Sequence, residues 1–413
     1  MAAGYFAAGK KDDTATFEFT IRHLPRHRDF VLVAGLHRAV EYLLNLSFAP
    51  DEIAYLRGLE VFRHTPHEFW DYLAHFRFTG TVFAVPEGTV LYEGQPVLNI
   101  RAPLIEAQIP ETYLLSAITF ETLIASKAAR IAHAARGRDV IEFGTRRAHT
   151  PEAGVLGARA AYIGGCAGTS NVQAGYKFGI PVMGTAAHSW VMSFASESES
   201  FRELQRLLGD RTVQLIDTYD TLLGARAVAQ IGKPLWGVRI DSGDLAGLSR
   251  SVRRILDDAG LRDAKIMVSS DLDETKIGSI VDSGAPIDAF GVGTQLSTSA
   301  DAPSMETVYK LVEIEHNGKT RFTAKESAGK HTLPGAKQLF RYPDFDLLGR
   351  HNECAGGAEA MLKPVIVGGN LIEPLPSVAE IRTRAQASLA KWPAPSRRTE
   401  LSPALEELNR VPA

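Results

Sequence analysis

The sequence predicts an α/β protein: an irregular β/α barrel with a smaller α+β domain built from both chain ends. Three observations carry that expectation. Between Asp139 and Thr294 short apolar runs alternate with polar or glycine-rich loops and helical stretches, about six such units in roughly 150 residues, which is the rhythm of a parallel sheet. The runs end in polar residues suited to a site, which favours a barrel over an open sheet. On either side of this region the pattern changes to helices followed by short β-rich runs, and past Pro303 to β-rich runs again.

Taken in order, Phe30, Val31, Val33, Leu36, Val40, Leu43 and Leu44 recur at helical spacing, so Arg28 to Leu46 reads as helix. TPHEFWDYLAHF reads as a second helix with Thr65 as cap and Pro66 in the first turn. The amino-terminal part is therefore expected to be helical. Thr79 to Pro103 holds short β-rich runs separated by Pro-Glu-Gly and Glu-Gly-Gln-Pro turns, a small sheet. Glu111 to Arg136, without internal Gly or Pro, reads as a linking helix. The barrel runs begin at Asp139, Ile180, Val213, Leu235, Lys265 and Asp288. YKLVEI and KTRFTAK look like strands, and KPVIVGGNLIEP carries a hairpin signal at Gly368-Gly369. The proline-rich stretch from Lys391 is expected to wrap the surface or move. The resulting division is 1–110, an N-terminal α+β domain; 111–137, the helix; 138–303, the barrel; and 304–413, a tail completing both.

Composition narrows the function. With 413 residues, 45% hydrophobic and 23% charged, the chain is ordinary globular material. A net charge of -3 argues against a nucleic-acid binder. The two cysteines, Cys166 and Cys354, have no CxxC spacing, so neither a disulfide framework nor a zinc cluster is expected, and a reducing cytoplasm fits. No run approaches the ~18 apolar residues of a membrane span.

The chemistry lies at the strand ends. EFGTRRAH places Glu142 on a strand, with Arg146 and Arg147 in its loop as planar forks for phosphate or carboxylate, or as a solvated charge pair. GTAAHSW offers Thr185 as hydroxyl donor and His188 as nucleophile or base, or as a surface or packing histidine. In RIDSGD, Arg239 lies inside an apolar run and must find a counter-charge or an anionic ligand once buried; Asp241 and Asp244 are carboxylates for catalysis or helix caps. GVGTQLST ends a strand with Gly291, Gly293 and Thr294, small residues that let backbone N–H groups approach a phosphate.

These segments, with GTSNVQAGYKFGIPVMGTAAHSW, LIDTYDTL, VSSDLDE, VYKLVEI and GKHTLPGAKQLFR in this order, resemble nicotinate phosphoribosyltransferase over nearly the whole chain. The resemblance implies a type II phosphoribosyltransferase fold, a homodimer with shared active sites, and formation of nicotinate mononucleotide and pyrophosphate from nicotinate and phosphoribosyl pyrophosphate. ATP is the co-substrate, Mg2+ accompanies the phosphates, no protein metal site is expected, and the product enters NAD salvage. It makes His188 the phosphorylated histidine, Thr185 and Arg239 contacts to nicotinate, and Thr294 a contact to the phosphoribosyl group. Asp241 and Asp244 stabilise charge on the ribose, and Lys325 and Lys330 meet pyrophosphate. Arg146 and Arg147 grip the nucleotide phosphate or nicotinate, while Asp271 and Gly293 face the ribose. A nicotinamide- or quinolinate-type enzyme, or a non-catalytic nucleotide-binding barrel, is the alternative. Two departures stand out. Glu326 stands where the family reads KLS or KLT. A leader resembling TDLYELTMA, whose tyrosine stacks on the pyridine, is missing before Met1, so either the numbering starts at an internal methionine, or Tyr5 or Phe6 takes its place, or the ring is bound weakly.

Overall fold

The computed structural model describes residues 1–325, 327, 330–390 and 397–410. The chain divides into two units, one of residues 1–123, 304–376 and 387–413, the other of residues 124–303 and 377–386. The boundary falls inside the long helix Glu111–Ala134, which is one continuous element.

The first unit is built on a seven-stranded antiparallel sheet. Its order is Lys319–Phe322, Glu306–His316, Thr14–His23, Pro96–Pro103, Thr81–Ala84, Lys363–Val367 and Asn370–Leu371. The strand Thr14–His23 corrects the expectation of a helical amino-terminal part. Ala15, Phe17, Phe19 and Ile21 alternate with polar residues and enter the core, a period-two signal that the sequence carries openly. Arg28 to Leu46 is not one helix either. Gly35 has φ 96°, and a Cβ there would lie 2.8 Å from the Ala117 carbonyl oxygen, so the chain breaks into a two-residue strand, Val31–Leu32, and a helix, Leu36–Asn45. The second helix runs His67–Ala74 with Pro66, not Thr65, at the cap position. Tight turns match expectation: Gly368 and Gly369 both have positive φ and join two paired strands. Tyr5 donates to Gln108 Oε1 at 3.3 Å, and Phe6 packs on Phe69 and Tyr72, so both rings are engaged in this unit's own packing. Beyond 397 the chain forms the strand Thr399–Leu401 and the helix Pro403–Arg410.

The second unit is a parallel sheet in the order Gly168–Thr169, Asp139–Glu142, Ala289–Val292, Lys265–Ser270, Gly237–Ile240, Val213–Leu215. Val140, Ile141, Val238, Ile240, Ile266, Val268, Phe290 and Val292 are all buried, as expected of strands covered on both faces. The run from Ile180 contributes only one bridge, Val182 with Thr169. The two-residue strand Gly168–Thr169 takes the place that run was expected to fill. Among the described residues the sheet is therefore an open, irregular barrel. Asn171, Asp220, Asp244 and Asp273 each cap the helix that succeeds a strand; these caps start each helix just beyond a strand end and fix the loops between.

The part of the helix Val378–Leu389 up to residue 386 belongs to this unit, held through Arg382. Its guanidinium donates to the carbonyls of Tyr162, Gly165 and Cys166 and stacks 4.3 Å from the centroid of the Tyr162 ring. No helix of the described residues is long and apolar enough to cross a membrane.

Candidate active site

Five adjoining segments of the second unit bring one cluster together. Arg239 alternates with Val238 and Ile240, which are buried on the opposite face. Its guanidinium is held on three sides: Nε donates to Ser269 Oγ at 2.7 Å, NH1 to Thr185 Oγ1 at 2.7 Å, and NH2 to Asp241 Oδ1 at 2.8 Å. A guanidinium has five N–H donors, so these bonds leave one on each terminal nitrogen, a pair whose fork matches a carboxylate.

An aromatic face lies beside that fork. Phe143 sits 5.6 Å from the Arg239 guanidinium, measured to the ring centroid. Gly291 explains how the ring reaches this place, since a Cβ there would lie 2.6 Å from Phe143 Cδ2. The loop after Phe143 is fixed by Glu142. One of its oxygens accepts from the Gly144 backbone and the other from Thr169 Oγ1 at 2.6 Å. Asn171 then donates to Thr145 Oγ1 at 3.0 Å. Glu142 is buried, and burial raises its pKa despite those two donors. Its carboxylate, with both oxygens hydrogen-bonded, shapes the loop. Arg146 and Arg147 lie on the 3-10 turn of this loop and are exposed.

His188 opens the short helix His188–Met192. Its Nδ1 is 3.1 Å from Thr218 Oγ1, and Nε2 is 3.7 Å from Asp241 Oδ2. Asp217 supports this side: its Oδ2 accepts from the Asp241 backbone at 2.9 Å and from Ser242 Oγ at 2.6 Å, while its Oδ1 is buried without a partner among the described residues. Burial pushes the Asp241 carboxyl upward, but the Ser269 hydroxyl, Arg239 and His188 outweigh it, and the group titrates below its ordinary value. Asp241 is thus the anion that balances Arg239, with His188 Nε2 beside its other oxygen. Glu197, in the first turn of the helix Glu197–Leu208, is pushed up to about 6 by burial and by the Asp220 and Asp217 carboxylates.

Among the described residues, the remaining sequence candidates of the second unit make no hydrogen bond to the side chains of this cluster. Asp244 Oδ1 accepts from Gly247 N at 3.1 Å and caps the helix Leu245–Asp258, so the capping alternative describes it. Asp271 accepts from Gln295 and Lys276 at the exposed end of its strand; the Gln295 bond, then Lys276, keep its carboxyl below the ordinary value against a small burial effect. Gly293 and Thr294 begin the short helix Thr294–Ser297, where a Cβ on Gly293 would meet only the Phe143 carbonyl at 3.7 Å. Lys325 and Lys330 belong to the first unit and are exposed. Glu326 lies outside the described residues. Phe143, Asp217, Thr218 and Ser269 do not stand out in the sequence. Each occupies a strand end or the loop directly after one, in EFG, LIDT and VSSD, and that position is the available signal.

The fold and this cluster define the chain as a type II phosphoribosyltransferase. The crystal structure of human nicotinic acid phosphoribosyltransferase superposes with a TM-score of 0.85 at 28% identity, covering 99% of this chain and 97% of that one. A nicotinate-nucleotide pyrophosphorylase from Pyrococcus furiosus gives 0.78 at 26% identity, covering 95% and 93%. Residues 1–119 match the profile of the nicotinate phosphoribosyltransferase N-terminal domain, and residues 139–345 that of the nicotinate phosphoribosyltransferase family. Nicotinate phosphoribosyltransferase pncB2 of Mycobacterium tuberculosis (strain ATCC 25618 / H37Rv) is 44% identical over 90% of this chain and 81% of its own length. The Bacillus subtilis (strain 168) nicotinate phosphoribosyltransferase is 43% identical over 83% and 71%. The chain belongs to the nicotinate phosphoribosyltransferase family.

Proposed function

We propose that the chain transfers phosphoribose from phosphoribosyl pyrophosphate to nicotinate, yielding nicotinate mononucleotide and pyrophosphate for NAD salvage in the cytoplasm. The observation that carries this reading is Arg239, fixed on three sides with one N–H left on each terminal nitrogen and the Phe143 ring beside it. A pyridine carboxylate meets the fork while its ring lies against the aromatic face, and an amide in its place mispairs a donor with a donor. As pyrophosphate departs, positive charge grows on the anomeric carbon, and Asp241 supplies nearby negative charge. Arg146, Arg147, Asp271, Gly293, Thr294, Lys325 and Lys330 are assigned to the phosphates and ribose, with Mg2+ arriving on the phosphates.

ATP coupling is assigned to His188. The imidazole attacks the γ-phosphorus, the P–O bond to ADP breaks, and water later releases phosphate from the phosphohistidine. Asp241, 3.7 Å from the ring, stabilises the charge that grows on the imidazole during attack. The working unit is a homodimer, a reading supported by the exposed apolar side chains Val172 and Tyr176 on the second unit.

The test is turnover of labelled nicotinate, with nicotinamide and quinolinate assayed beside it. Nicotinate should be preferred by at least a few kcal/mol of transition-state binding. Arg239→Ala should lose most activity on nicotinate; an unchanged KM would move acid recognition to Arg146 or Arg147. Binding of nicotinate with no product formed would leave a non-catalytic barrel.

A further inference from the structure

Arg239 and His188 share one carboxylate, and each faces a different oxygen of it. Arg239 NH2 donates to Asp241 Oδ1, whereas His188 Nε2 lies near Oδ2. An arginine beside a carboxylate commonly takes both oxygens in two parallel bonds, one from Nε and one from a terminal nitrogen. Here the Ser269 hydroxyl occupies the Nε position. Ser269 comes directly after Val268, whose partner on the neighbouring strand is Ile240, so the register delivers it beside Asp241. It is 3% exposed. Its Oγ accepts from Arg239 Nε at 2.7 Å and donates its single proton to Asp241 Oδ1 at 2.5 Å. Arg239 Nε and NH2, Ser269 Oγ and Asp241 Oδ1 close a ring of three hydrogen bonds.

We propose that Ser269 is the positioning residue that sets acid-over-amide specificity, by wedging between Arg239 Nε and Asp241 so that the fork of Arg239 faces the substrate carboxylate. The proposal rests on the reading that Arg239 holds nicotinate. Without the hydroxyl, Nε loses its acceptor and Asp241 is drawn into a two-bond pairing with Arg239. That pairing rotates the fork away from the substrate and withdraws Oδ2 from His188. Specificity then falls although no residue touching nicotinate has changed.

Steady-state kinetics of the full chain, Ser269→Ala and Ser269→Thr with nicotinate and with nicotinamide test this, alongside melting temperatures. Ser269→Ala should raise KM for nicotinate on the order of tenfold to a hundredfold, as expected for loss of a hydrogen bond to a charged group, with a smaller change in kcat. The ratio of kcat/KM for nicotinate over nicotinamide should fall by a similar factor, which a purely structural loss would not change. Ser269→Thr keeps the hydroxyl and should restore the ratio. Ser269→Cys, of similar volume but weak hydrogen bonding, repeats the comparison if the alanine variant is poorly folded. An unchanged ratio in the alanine and cysteine variants overturns the proposal, as does equal loss of the ratio in Ser269→Thr. Failure of the unaltered chain to turn over nicotinate instead overturns the reading on which it rests.

Discussion

His188 is half-exposed and anchored at Nδ1 by Thr218, so it is held in place while remaining open to a phosphoryl donor. If His188 is the coupling nucleophile, His188→Ala should abolish ATP hydrolysis while leaving some ATP-independent phosphoribosyl transfer. Phosphate trapped on another residue after incubation with γ-labelled ATP would reassign the role. Glu197 gives a stability test of the same neighbourhood. Its carboxyl is pushed up to about 6 by burial and by Asp220 and Asp217, from an ordinary 4.5. The folded state therefore binds that proton more tightly than the unfolded chain, stability falls as pH rises from about 4.5 to about 6, and the penalty is fully present above that. Glu197→Gln should raise Tm at pH 8 by about 1–3 °C, a figure reduced for solvent screening of a partly exposed group, and leave Tm nearly unchanged at pH 4. An equal rise at both pH values would mean the gain is packing. At this scale Thr185, His188, Arg239 and Asp241 are legible in the sequence because each breaks an apolar run or comes directly after it. Ser269 and Phe143 are not, since their importance comes from neighbours brought in by other strands.

The element that aims Arg239 is the strand Gly237–Ile240, which begins at a close approach between backbones. A Cβ on Gly237 would lie 2.0 Å from the Lys265 carbonyl oxygen on the adjoining strand, and neither backbone can yield without breaking the pairing of Lys265 with Gly237. Gly237→Ala should cost about 1–3 kcal/mol by overpacking, and it should raise KM for nicotinate as well because the shift propagates two residues to Arg239. Urea unfolding and kinetics on one preparation check this; a destabilised variant with unchanged KM would separate strand register from aim. Elements are legible where pattern and length agree, as in the helix from Glu111 and the hairpin at Gly368-Gly369. The run from Ile180 looks like a strand in composition but makes a single bridge. Gly168–Thr169 is too short to announce itself, and only the sheet's register reveals it. Thr14–His23 is different. Its alternation is plain in the residues themselves, but the helical spacing between Phe30 and Leu44 is the stronger local signal and masks it.

For the whole molecule, one feature that compact burial does not account for is an apolar surface on the second unit. Val172 and Tyr176 stand four residues apart on the helix Val172–Phe178 and so share a face; Tyr176 is 91% exposed and Val172 69%. Val182 and Met183 are also exposed, and Val182 lies so near this helix that a Cβ on Gly175 would meet its Cγ2 at 2.3 Å. Exposed apolar side chains gathered in one place mark an interaction surface, and a stable pairing needs on the order of 1,200–2,000 Å² of total buried area, of which such a cluster forms the centre. We therefore expect light scattering to give twice the chain mass for the unaltered protein. Tyr176→Asp, which buries a charge at the centre of that contact, should shift the mass to that of one chain at micromolar concentration while far-ultraviolet circular dichroism stays the same. If the two halves of the dimer complete each other's sites, kcat should fall with the dimer fraction on dilution of this variant. A Tyr176→Asp protein that keeps the doubled mass would place the pairing surface elsewhere on the chain.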